Sequence, residues 1–287
     1  MNPATARSAM YETLKNYYDY TLPLYRMFWH GETRAIHYGM WDASTSTFKE
    51  ALLNTNKALA ERAGVRAGER VLDAGCGVGG SAFWLAQHRG ANVVGITVSE
   101  KQYQKARGLA TRYGLSDKVE FFLEDYTKTH FPDGSFDVVW AIESVCHATD
   151  KMLFLKEAYR LLKPGGRLVV SDGFVEREAH DEKEIKLLCN FLKGFAVDDL
   201  ARTKSFGEMV KEAGFRDVKS WDETKAIVPT SRSMARMSRW SLPLSTLTTW
   251  LGLTPQLLVD NNRAGIDQQY LFSNRVLTYR IFVGGKG

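Results

Sequence analysis

Strand-length apolar runs recur through the middle of the chain at 70–74, 92–98, 119–123, 136–142 and 167–171, separated by helix-length segments of mixed polarity. That alternation predicts an α/β fold built on a parallel, doubly wound sheet. Several boundaries have local causes. Leu162-Lys163-Pro164-Gly165-Gly166 ends a helix, because proline cannot continue it and glycine permits the reversal into the next strand. Ser99, followed by Glu100, has the character of a helix N-cap. Residues 218–224 and 275–283 suit an antiparallel strand pair that finishes the sheet, with about fifty residues inserted between them. The insertion carries Trp240-Ser241-Leu242-Pro243-Leu244 and Trp250-Leu251-Gly252-Leu253, a density of apolar groups that suits a substrate lid or a satellite core better than a solvated loop.

The expected organisation is an N-terminal helical, aromatic-rich cap (1–45), a core (46–226), a substrate-cap insertion (227–272) and a final strand returning to the core (273–287). No internal repeat, low-complexity tract or flexible linker interrupts it.

At 287 residues, 44% hydrophobic and 25% charged, the chain has the composition of a globular protein with one substantial core. The net charge of +5 comes from 38 basic and 33 acidic residues without a basic run, so nucleic-acid binding is not indicated. Cys76, Cys146 and Cys189 are widely spaced and form no CxxC pair; reduced thiols in the cytoplasm are expected. The opening stretch lacks the basic-then-apolar pattern of a secretory signal, and no apolar run reaches the roughly 18 residues of a membrane span. Peripheral contact with a membrane and self-association stay open.

The strongest local signal is Val71-Leu72-Asp73-Ala74-Gly75-Cys76-Gly77-Val78-Gly79-Gly80, a strand running into a glycine-rich turn and a helix. Side-chain-free turns let a ligand approach the backbone closely. Gly75, Gly77 and Gly80 also satisfy the dinucleotide pattern G-x-G-x-x-G. Two residues count against a nicotinamide or flavin. Asp73 puts a carboxylate where a pyrophosphate would sit and suits an ammonium group better. At the end of the next strand, where a dinucleotide site holds an acid for the ribose, this chain has Thr97.

The segment from Asp73 to Gly79 resembles the first motif of class I S-adenosylmethionine-dependent methyltransferases. Gly95-Ile96-Thr97-Val98-Ser99 with Gln102 resembles the branch that includes sterol, tocopherol and cyclopropane-lipid enzymes. The resemblance implies a Rossmann-like, seven-stranded methyltransferase sheet, mostly parallel with an antiparallel terminal strand. It implies S-adenosyl-L-methionine as cofactor, with Asp73, Gly75, Gly77, Gly79 and Ile142 lining its site. Thr97 and Gln102 would share hydrogen bonding to the sugar. Asp125 would accept from the adenine amino group with Tyr126 close to the ring, although Asp125 also suits a simple turn.

After the fourth run stands Ala141-Ile142-Glu143-Ser144-Val145-Cys146-His147, which resembles the Ala-Ile-Glu segment and nearby histidine of sterol C-methyltransferases. Glu143 and His147 are the candidate proton acceptors, at a strand's carboxyl end beside the methyl donor. The alternatives are that Glu143 anchors the cofactor or a loop and that His147 is a packing residue. No metal site is expected. The N-terminal stretch through Tyr17, Tyr18, Tyr20, Tyr25, Phe28, Trp29, His37, Tyr38 and Trp41 is dense in aromatics and also resembles sterol methyltransferases. Its rings would pack as an amphipathic helix or stabilise a carbocation, with Tyr25, Trp29 and His37 as the candidate substrate contacts.

The expected activity is methyl transfer to a small apolar acceptor, foremost carbon methylation of an isoprenoid, sterol-like or prenylated compound. An alkaloid or amine N-methyltransferase is the alternative, followed by a noncatalytic protein or pericyclase on the same fold.

Overall fold

Consecutive strand residues go to opposite faces of a sheet, so a strand covered on both sides needs an unbroken apolar run. Val71, Val93, Val138 and Val169 join one buried cluster, whereas their neighbours Leu72, Val94, Val139 and Leu168 join a second on the other face. The computed structural model describes Leu14, Tyr17, Tyr18, Tyr20, Thr21 and residues 33–287.

The strands are β1 (Arg70–Ala74), β2 (Asn92–Thr97), β3 (Val119–Leu123), β4 (Phe136–Ile142), β5 (Leu162–Val175), β6 (Arg216–Asp222) and β7 (Leu277–Gly285). They form one sheet in the order β3-β2-β1-β4-β5-β7-β6. β1 to β5 pair in parallel, and β7 runs antiparallel between β5 and β6. β5 extends beyond the apolar run 167–171 at both ends, because Leu162 pairs with Phe136 and its far end pairs with β7 as far as Val175.

Helices α1 (Phe48–Ala63), α2 (Gly80–Arg89), α3 (Glu100–Arg112), α4 (Lys151–Leu161), α5 (Glu182–Gly194) and α6 (Thr203–Glu212) cover the sheet. Thr47 and Glu50 close a capping box on α1, and the Ser99 hydroxyl accepts from the Gln102 amide at the start of α3. Between β6 and β7 lie α7 (Thr224–Trp250) and α8 (Gln256–Ser273). They approach so closely that a Cβ on Gly265 of α8 would lie 2.2 Å from Ser238 Oγ of α7. Ile227, Leu271 and Phe272 enter the main core, while Trp240, Leu244 and Trp250 stay exposed, so the insertion is core at one end and open at the other. None of the described helices is long and apolar enough to cross a membrane.

β1 lies between β2 and β4, where the strand order reverses. The carboxyl ends of these strands open the crevice in which ligands of such sheets bind.

Candidate active site

The turn after β1 is tied to its neighbours by backbone and side-chain bonds. The amides of Gly75 and Cys76 donate to the Ile96 carbonyl at 3.0 and 2.9 Å, and the Ser144 hydroxyl donates to the Ala74 carbonyl at 2.7 Å. Gly75 has φ +88°, and a Cβ there would stand 2.4 Å from Ser144 Cβ. Gly77 also has a positive φ, +54°, but a Cβ there would meet only Ile36, at 3.9 Å. That open side is part of a groove.

The groove is lined by Asp73, Gly75, Gly77, Thr97, Gln102, Asp125, Tyr126, Ile142, Glu143 and His147, with His37 and Tyr18 from the N-terminal side. Gly79, expected on the groove, instead caps α2; a Cβ on it would lie 2.6 Å from the Phe121 ring, so its freedom serves packing beneath the turn. Tyr25 and Trp29 lie outside the described residues.

Asp73 is 3% exposed, and its Oδ2 has no hydrogen-bond partner. Burial pushes its carboxyl up to about 7, only partly offset by the Ala82 amide. Thr97 Oγ1 donates to Gln102 Oε1 at 2.7 Å, which turns the amide NH₂ of Gln102 into the donor end of the pair. Asp125 Oδ1 accepts from the amide and hydroxyl of Thr127 at 2.8 and 2.7 Å, so this residue does build a turn while it lines the groove. Tyr126 donates its hydroxyl to the Ser144 carbonyl at 2.8 Å, fixing its ring across the mouth of β4.

A described segment from Thr33 to Trp41 crosses over this groove. A Cβ on Gly80 would lie 2.6 Å from the Arg34 carbonyl oxygen, so the segment rests on the first turn of α2. It is held by Tyr38 N donating to Glu143 Oε1 (2.7 Å), Tyr38 Oη to Gln268 Oε1 (3.0 Å) and Trp41 Nε1 to Thr230 Oγ1 (3.0 Å). Glu143 Oε1 also accepts from Tyr279 Oη at 2.8 Å. Glu143 has φ +46°, a left-handed conformation that costs a non-glycine residue about 1–2 kcal/mol. Burial raises its carboxyl to about 8.

Beyond Glu143 the groove meets an inner pocket of about 90 Å³. Among the described residues, seven aromatic rings face it: Tyr17, Tyr18, Tyr38, Phe191, Phe195, Phe272 and Tyr279. From the same described set, His37, Glu143, His147 and Asp172 bring imidazole and carboxyl groups to it. His147 Nδ1 stands 3.1 Å from the Ala196 carbonyl oxygen, which can only accept, so Nδ1 carries the proton and Nε2 offers its lone pair to Tyr18 Oη at 3.1 Å. Burial lowers both His147 and His37 to about 4, leaving the rings neutral at neutral pH. His37 donates Nδ1–H to the Tyr38 carbonyl at 3.0 Å.

Asp172, Ser144 and Tyr279 were not singled out from the sequence. Asp172 directly follows the apolar run 167–171, one residue past Ser171, which pairs with Ile142, so an acid closing that run is a sequence signal that the topology rule could have flagged. Its carboxylate accepts from the Cys146 amide at 2.9 Å, and burial lifts it to about 6. Tyr279 gives no signal in a strand of alternating apolar residues. Among the described residues, no group of three metal-ligand side chains comes together.

The groove fits S-adenosylmethionine. The orphaned buried oxygen of Asp73 suits the ammonium end, the Thr97–Gln102 pair suits ribose hydroxyls, and the open face of Gly77 leaves backbone where the ligand must pass.

Comparison with known proteins agrees with this geometry. Residues 72–170 match the family described as a methyltransferase domain. The chain is 35% identical over 236 residues to the methyltransferase GfsG of Streptomyces halstedii, covering 80% of this chain and 84% of that one. It is 34% identical over 214 residues to the sterol 24-C-methyltransferase of Aspergillus fumigatus, covering 73% and 55%. Among solved structures, the [4+2]-cyclase SpnF superposes with a TM-score of 0.75 at 26% identity over 95% of this chain and 94% of that chain. The cyclase shows that this fold hosts more than one chemistry. The extent of identity to GfsG, together with the matched domain, decides the family: the chain belongs to the class I S-adenosylmethionine-dependent methyltransferases.

Proposed function

We propose that the chain methylates an apolar acceptor at carbon, and that the acceptor is an isoprenoid, sterol-like or prenylated compound with a reacting alkene. The observation that carries this reading is the inner pocket: among the described residues, seven aromatic rings around a neutral imidazole, opening on the cofactor groove. S-adenosylmethionine bound in the groove supplies an electrophilic methyl group and leaves as S-adenosylhomocysteine.

An alkene that gains a methyl cation becomes a carbocation, which must then lose a proton. Aromatic faces stabilise such a cation by about 0.5–2 kcal/mol each. His147 Nε2, reached through the Tyr18 hydroxyl, is the group that takes the proton. An imidazole held at about 4 is a weak base, adequate for a carbocation and poorly matched to an alcohol or phenol, whose deprotonation wants a base titrating near the working pH. Glu143 is engaged by two donors and acts as the anchor of the Tyr38 segment. Asp73, Thr97, Gln102 and Asp125 hold and orient the cofactor. The pocket's rings exclude water from the reacting carbon.

The test incubates the protein with methyl-labelled S-adenosylmethionine and a panel of isoprenoid alkenes, phenols and amines, and locates the label by NMR. A new carbon–carbon bond is expected. Label found only on oxygen or nitrogen overturns the reading and points to the phenol or amine class.

A further inference from the structure

A second cavity of about 600 Å³ lies between α7 and α8, several times larger than the inner pocket. Phe195 and Met234 line both cavities, so the two adjoin. Several polar side chains in its wall bond one another or nearby backbone. Ser241 Oγ donates to Asn262 Oδ1 (2.5 Å), Asn262 Nδ2 to Ser245 Oγ (3.0 Å) and Ser245 Oγ to the Leu242 carbonyl (3.0 Å), while Thr248 and Thr254 pair at 2.8 Å. Asn261 Nδ2 bonds Tyr17 Oη at 2.9 Å and the Gly194 carbonyl at 3.2 Å, at the passage between the two cavities. The wall is otherwise mostly apolar, with Met237, Leu244 and Leu258 among the surfaces that a ligand meets and the 82%-exposed Trp240 at the rim.

We propose that this chamber is a second acceptor compartment, which holds the remote apolar end of a molecule whose reacting end lies in the inner pocket. A volume of this size belongs to the range of cavities that bury most of a drug-sized ligand. The inner pocket alone is too small for one. The acceptor class that follows is a prenyl or polycyclic compound of sesquiterpene size or larger. This inference rests on the reading that the chain methylates an apolar acceptor.

Geraniol, farnesol and geranylgeraniol serve as probes, each titrated calorimetrically into the protein saturated with S-adenosylhomocysteine. The affinity is expected to rise by about tenfold per added isoprene unit, since each unit buries further apolar surface. Leu258→Trp narrows the chamber and Met237→Asp puts a charge in its wall. Both variants are expected to erase the length dependence while leaving S-adenosylhomocysteine affinity intact, which also certifies their fold. An affinity that does not grow with length in the wild type, or growth that survives both substitutions, overturns the chamber. A wild-type dimer that Met237→Asp dissociates with the length dependence retained would assign the surface to a second copy and also overturn it. Length dependence lost in the variants, with no probe methylated by labelled S-adenosylmethionine, leaves the chamber standing and counts against carbon methylation instead.

Discussion

The phenol oxygen of Tyr18 lies 3.1 Å from Nε2 of His147, joining the N-terminal side of the site to the loop after β4. Because Nδ1 of the same ring is committed to the Ala196 carbonyl, the imidazole has one tautomer and one free direction for a proton. General bases contribute about 10²–10⁴-fold to rate. His147→Ala is expected to lower kcat within that range, and Tyr18→Phe by a smaller factor, with S-adenosylhomocysteine affinity unchanged in both. Equal turnover in wild type and His147→Ala would remove the imidazole from the mechanism.

Glu143 separates a positioning role from a proton-transfer role by one atom. Glutamine keeps the oxygen that accepts from Tyr38 N and Tyr279 Oη, whereas alanine leaves two buried donors unsatisfied, at about 1–3 kcal/mol each. Glu143→Gln is expected to retain most turnover and thermal stability, and Glu143→Ala to lose several degrees of melting temperature. A glutamine variant that is fully folded but inactive would make the carboxyl itself the reacting group.

The core of the fold was legible because its signals are local. An apolar run, a glycine turn and a capping serine each act within a few residues, so β1 to β4 and the start of α3 lie where the pattern put them. The groove residues at four strand ends were legible for the same reason. Long-range closure was not. Tyr38, Gln268 and Tyr279 meet Glu143 or one another across 105 to 230 residues of chain, and nothing in the local sequence of any of them announces the others. Asp125 shows the reverse limit: its local turn signal is real, and the turn is what places it on the groove.

Gly75 and Gly77 both have positive φ but differ in what surrounds them. Alanine at Gly75 meets Ser144 Cβ at 2.4 Å, while at Gly77 it pays only the left-handed penalty of about 1–2 kcal/mol. Gly75→Ala is expected to lower the melting temperature more. Gly77→Ala should fold and lose cofactor affinity out of proportion to its stability change, since its methyl group enters the groove. Calorimetric titration with S-adenosylhomocysteine beside a thermal melt separates the two.

The buried carboxyls also set how the ligand-free protein responds to pH. Asp73, ordinarily at 3.8, is held at about 7, and Glu143, ordinarily at 4.5, at about 8. In those intervals the folded state binds more protons than the unfolded chain, so stability falls as pH rises. His37 and His147, ordinarily at 6.5, are lowered to about 4 and act in the opposite sense, but only below 6.5. From about pH 6.5 to 8 the carboxyls act without that opposition. The melting temperature of the ligand-free protein is expected to decline across this window, and less steeply in Asp73→Asn. A flat or rising profile would show that Asp73 and Glu143 ionise at ordinary values.

Cofactor binding should reverse the sign for Asp73. An ammonium group placed against its orphaned Oδ2 favours the ionised carboxylate, so binding pulls its titration down from about 7 and releases a proton. Affinity for S-adenosylhomocysteine is therefore expected to increase as pH rises through 7, by at most about tenfold per pH unit below it. Calorimetry in two buffers of different ionisation enthalpy should count up to one proton released per ligand near pH 6. Asp73→Asn keeps the shape of the side chain and removes the titration, so its affinity should be lower and nearly independent of pH. A wild type that binds equally well at pH 6 and pH 8 with no proton release would place the ammonium group away from Asp73, and the buried carboxyl would then belong to the turn alone.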